Sequence, residues 1–88
     1  MTRLLLDARE MEHPEPLEKA IAILRGLDEE SYLYMLHRRE PVPLTALARE
    51  HGLNALVRCD EQGEWHILIS RNRDIDLEAF LLDRDSRA

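Results

Sequence analysis

The sequence predicts an α+β domain, a two-layer α/β sandwich in the order β-α-β-α-β-β, with a four-stranded mixed sheet and an added C-terminal helix. Three observations carry that prediction. Short apolar or aromatic runs at residues 2–7 and 32–37 alternate with two stretches of helical periodicity. Two further strand-like runs, 54–60 and 64–70, are joined by Asp60-Glu61-Gln62-Gly63, a short link ending in Gly that suits a hairpin with a bulge. Residues 74–83 then bring Ile75, Leu77, Phe80, Leu81 and Leu82, too much apolar surface for an unpacked tail. The expected division is a domain over residues 1–72 and a C-terminal extension over 73–88.

Each element has its own signal. Leu4, Leu5 and Leu6 are consecutive, as in a strand with apolar material near both faces. From Pro14 to Leu27, residues Leu17, Ala20, Ile21 and Leu24 recur at helical spacing. Pro14 and Pro16 suit a first turn, where a missing N–H breaks no intrahelical bond. Gly26 stands where left-handed geometry often ends a helix. Tyr32 to His37 is the second strand. Pro41 and Pro43 open a second helix with Leu44, Leu47, Ala48 and His51 on one stripe, and Gly52 is placed to close it with Leu53 folding back. Asp76 is a competent N-cap for the last helix.

Composition narrows the function. Eighty-eight residues with 44% apolar content make one globular domain. The net charge of −6 gives no general attraction to nucleic acid, whose binding rests on Lys and Arg releasing counterions. No apolar run approaches the roughly 20 residues that span a bilayer, and no signal peptide is visible, so a cytoplasmic protein without membrane contact is expected. A single cysteine leaves no internal disulfide. Eleven of the twelve basic residues are Arg, as in proteins from a GC-rich bacterial genome.

The string His13-Pro14-Glu15-Pro16 follows the run Leu4-Leu5-Leu6-Asp7-Ala8-Arg9 and opens the first helix. Together with Leu17-Glu18-Lys19 and the later His37-Arg38-Arg39-Glu40-Pro41, it resembles a cysteine-lacking branch of the TusA/SirA-like family over residues 2–70. That family's signature is an N-terminal strand followed by Cys-Pro-x-Pro, whose cysteine carries persulfide sulfur between partners. The resemblance implies the same β-α-β-α-β-β fold. It also implies no sulfur carriage here, because His13 stands in the cysteine's place and an imidazole carries no persulfide.

If a right-handed helical crossover makes the first two strands parallel, their C-terminal ends lie along one sheet edge, where ligands of open α/β sheets bind. Arg9, His13, Glu15, His37, Arg38, Arg39 and Glu40 are the candidate binding residues there. Arg38-Arg39 suit a carboxylate or phosphate, or else pair with Glu40 and the acidic first helix. His13 and His37 are the candidate metal ligands, since imidazole suits Zn, Cu, Fe and Ni, but no two histidines have tight ligand spacing. Alternatively, His13 caps its turn or packs beside the prolines. Cys59 alternates with Ala55 and Val57, which places it as an inert buried thiol; His66 falls on the opposite face from Trp65 and Ile67. That second face also holds Leu5, Leu56 and Leu68, with either Tyr32, Tyr34 and Leu36 or Leu33 and Met35. Such an apolar patch marks an interaction surface, covered by the last helix in the same chain or in a second copy.

The expected function is therefore a non-catalytic interaction or ligand-binding module, with no cofactor and with a protein partner or self-association. The alternative is a metal- or redox-linked accessory protein using His13 and His37. A sulfurtransferase built on Cys59 would need an accessible thiol of low pKa.

Overall fold

The computed structural model describes residues 1–86, with side chains described through Leu82. Seven elements follow in the predicted order: β1 (Thr2–Asp7), α1 (Glu15–Arg25), β2 (Ser31–His37), α2 (Val42–Glu50), β3 (Asn54–Cys59), β4 (Trp65–Ser70) and α3 (Leu77–Ser86). The open sheet has the order β1-β2-β4-β3. β1 runs parallel to β2, with Leu4 opposite Leu33 and Leu6 opposite Met35. β4 is antiparallel to both β2 and β3.

Side-chain alternation divides two cores. On one face Leu6, Leu33, Met35, Ile67 and Ile69 pack beneath Ala20 and Leu24 of α1 and Leu44 and Ala48 of α2. On the other, Tyr32, Tyr34, Leu36 and Leu68 meet Leu77 and Leu81 of α3, with Leu56, Ile75 and Phe80 at the margin. Of the two sets left open in the sequence, the tyrosine set is the one beneath α3, and α3 covers it within the same chain. Tyr32 and Phe80 pack with ring centroids 4.9 Å apart and their planes tilted by 39°, inside the distance range of favourable aromatic pairs. The central strands β2 and β4 are consequently buried on both faces.

The ends of the elements show local chemistry at work. α2 closes with Gly52 at φ +73°, while Gly52 N–H donates to Arg49 O at 3.0 Å and Leu53 N–H to Ala48 O at 2.9 Å. This is a Schellman closure, and it needs the left-handed residue that glycine supplies without a Cβ penalty. Gly63, at φ +80°, ends the β3–β4 link, with its N–H on Asp60 O at 3.1 Å. Asp76 caps α3 by accepting from Glu78 N–H at 3.0 Å.

Several expectations are corrected. α1 spans Glu15–Arg25 rather than 14–27, and Gly26 has φ −100°, so no left-handed residue ends it. Arg71 supplies the cap instead, donating through Nη2 to Leu24 O at 3.1 Å and through Nε to Leu27 O. A cation there also suits the negative end of the helix dipole. The hairpin strands are each one residue shorter at the link, because Asp60 and Glu64 form its closing pair, Asp60 N–H donating to Glu64 O at 2.8 Å. α3 begins at Leu77 rather than 74, since Asp74 and Asn72 belong to a turn in which Asp74 N–H donates to Asn72 Oδ1.

Candidate functional site

Parallel pairing of β1 with β2 carries the loop after Asp7 and the loop after His37 to the same sheet edge. Those loops lead into α1 and α2 and enclose a cavity of about 670 Å³. Its floor is apolar: Ala8, Met35 and Leu44 are buried, and Met11, Pro16 and Leu17 complete it. Its rim is charged. Arg9, His13, His37, Arg38, Arg39 and Glu40 all line it, joined by Glu10 and Glu12. Glu15 does not; it lies inside the first turn of α1 and faces Lys19 at 3.8 Å.

The rim charges differ in how far they are already engaged. Arg9 donates to Asp7 through Nε and Nη2, both at 2.8 Å, and through Nη1 to Glu64 at 2.9 Å. These bonds hold the Asp7 carboxyl down at about 2, with the Arg9 side-chain bond the foremost cause. Arg9 is thus a strut between β1 and the entry to β4. Arg38 pairs with Glu10 at 2.9 Å, both exposed, so its partner is the loop before α1 rather than Glu40 or α1 itself. Among the described residues, Arg39, Glu12 and Glu40 have no ion-pair partner.

His37 has a defined proton arrangement. Its Nδ1 accepts the backbone N–H of Arg39 at 3.0 Å, so the neutral ring carries its hydrogen on Nε2. Burial, and secondarily the Arg39 charge, push the His37 pKa below its ordinary value. The neutral ring therefore offers one N–H donor at the rim. His13 is exposed, and Pro14 occupies the N-cap position of α1 with no side-chain cap bond, so His13 does not cap the turn. Among the described residues, no group of three or more His, Cys, Asp or Glu is placed to hold a metal ion.

Cys59 is corrected from buried to exposed. It ends β3, the edge strand, at a point the helix layer does not reach, although Ala55 and Val57 on the same side pack against the core. Cys59 is not among the residues lining the cavity, and its thiol donates to Asp60 O at 3.7 Å.

One polar arrangement was not legible in the sequence. Beneath α3, the Tyr34 hydroxyl lies 2.6 Å from His66 Nδ1, and His66 Nε2 lies 2.8 Å from Asp60 Oδ2. A carboxylate only accepts, so Nε2–H donates to Asp60 and Nδ1 accepts from Tyr34. The His66 bond, then the backbone N–H of Glu64, lower the Asp60 pKa. The signal was the face shared by Tyr34 and His66, but their contact depends on the β2–β4 register.

Fold and site together define a small α+β domain with an open, mixed-charge cavity at the C-terminal ends of two parallel strands. A family model described as "Uncharacterized conserved protein (DUF2249)" matches residues 5–71, and the chain belongs to that family. The matched segment runs from the middle of β1 through β4, holds both cavity loops and ends before α3. No curated protein and no solved structure matches the chain.

Proposed function

We propose that this protein is a non-catalytic, TusA/SirA-like interaction module, not a sulfur carrier, that docks a segment of a cytoplasmic partner protein in the sheet-edge cavity. The observation that carries the reading is the combination of an apolar floor with unengaged rim groups of both signs. An apolar side chain fits over Ala8, Met35 and Leu44. Flanking charges of either sign meet Arg39 on one side and Glu12 or Glu40 on the other, while Nε2–H of His37 is available to a carbonyl or carboxylate. Such pockets with few convergent polar groups are the usual form of binding sites. His13, in the place of the family's carrier cysteine, contributes to the rim and offers no sulfur nucleophile.

A blocked acidic–apolar–basic tripeptide, Glu-Leu-Lys, is the minimal probe. Titrated into labelled protein, it should shift amide resonances of residues 8–13 and 37–44 together. Arg39→Glu should abolish those shifts and leave the thermal midpoint nearly unchanged, since among the described residues the Arg39 side chain makes no hydrogen bond or ion pair. Shifts confined to other regions, or shifts indifferent to Arg39→Glu, would remove the cavity as the docking site.

A further inference from the structure

We propose that β1 is a self-association edge: two copies pair their β1 strands antiparallel about a two-fold axis at Leu5, joining two four-stranded sheets into one. β1 is an edge strand in which only Leu6 is buried, beneath α1, and the other side chains are exposed. α1 packs on β2 and α2 on β3, while α3 packs on β3 and β4. Leu4 is therefore 37% exposed on one face and Leu5 58% exposed on the other. The opposite edge, β3, lies under both layers. Natural edge strands usually carry lysine, proline, a bulge or a cover. The centre of β1 has none of these.

Backbone parity fits the pairing. Thr2 N–H donates to Glu30 O and Ala8 N–H to Leu36 O, each at 2.8 Å. Even-numbered residues of β1 thus turn their amides toward β2, and Arg3, Leu5 and Asp7 turn theirs outward. A two-fold at Leu5 sets Leu5 against its symmetry mate and Arg3 against Asp7, all as hydrogen-bonded pairs. Arg3, Leu5 and Asp7 also share one face, so the Leu5 pair is flanked by two Arg3–Asp7 ion pairs, in which each Asp7 keeps its bonds to Arg9 and takes the other copy's Arg3 as a second cation. Leu4 meets Leu6 on the other face. Sliding the register by two residues loses both ion pairs, so charge selects this alignment.

Sedimentation equilibrium on the full chain tests it. The wild type should be a monomer–dimer system. Leu5→Pro, which removes an outward N–H that an edge strand can spare, should be monomeric with an unchanged circular dichroism spectrum. Arg3→Asp and Asp7→Arg each place like charges opposite one another twice, and each should weaken dimerisation by about tenfold or more. Mixing these two variants in equal amounts restores both ion pairs and should restore the dimer as a heterodimer. That rescue is independent of any loss of fold in Leu5→Pro. A wild type that stays monomeric at every concentration, or a mixture no more associated than its components, would overturn the proposal.

Discussion

His37 and His66 hold the same ring tautomer in two regions of this molecule, and the difference between their surroundings separates scaffold from site. Each ring accepts a hydrogen bond at Nδ1 and carries its proton on Nε2. At His66, 5% exposed beneath α3, that Nε2–H is spent on Asp60 at 2.8 Å. At His37, beside the cavity, no protein acceptor for Nε2 lies among the described residues. A ring satisfied at both nitrogens holds structure; a ring satisfied at one has a donor left for something outside the chain. The arginines divide in the same way. Arg9 and Arg71 are tied to the fold, and Arg39 is not.

The largest effect that sharpens this contrast belongs to the buried ring. His66→Ala leaves Asp60 without its foremost donor, leaves the Tyr34 hydroxyl without that acceptor and opens a cavity, which should cost about 2–4 kcal/mol by urea unfolding. His37→Ala should cost less than about 1 kcal/mol in the same assay while abolishing the probe-induced shifts at residues 37–44. Equal losses for the two would erase the distinction.

Next is the cover over that network. Leu81 is buried against the tyrosine face and Leu82 is 61% exposed one position along. Leu81→Ala should therefore destabilise by about 2 kcal/mol and Leu82→Ala by no more than about 0.5 kcal/mol. Amide exchange should slow across residues 77–82 by a matching amount relative to a free peptide. A smaller loss, about 1 kcal/mol, is expected for Arg71→Ala, which uncaps α1.

The smallest effects are pH dependences. The folded His37 pKa lies below the unfolded value of 6.5. The folded state therefore resists protonation, and the contribution present above 6.5 is lost as the pH falls through the folded value. Asp60 is also depressed, by the His66 bond first, so its contribution is present above the ordinary carboxylate range and lost on further acidification. Unfolding midpoints across mildly acidic pH should lose their slope in His37→Gln, and those at lower pH should flatten in Asp60→Asn. Unchanged profiles would mean that neither proton is held as the geometry indicates.

The architecture was legible because its signals are local. Consecutive leucines, helical stripes with proline at their starts and a glycine-ended hairpin each report a few neighbouring residues. The cavity's composition was legible for a related reason: once β1 and β2 are parallel, the residues just beyond each strand must converge. Glu15 failed that rule by standing one step inside the helix, where it turns toward Lys19. Cys59 failed because alternation assigns a face and not how far the helix layer extends over it. The Tyr34–His66–Asp60 chain and the Arg71 cap depend on contacts 32 and 47 residues apart in sequence, which periodicity does not encode.

The central claim is that function resides in the unengaged rim groups of the cavity and not in a thiol. Incubating the purified protein with a cysteine desulfurase and sulfur-labelled cysteine tests this most directly. Exposed Cys59 makes the test demanding, because access is no longer an obstacle. The account predicts no stable, reductant-sensitive label on the protein. Efficient labelling that disappears in Cys59→Ser, with the fold intact, would contradict it and make the chain a sulfur carrier acting from the end of β3.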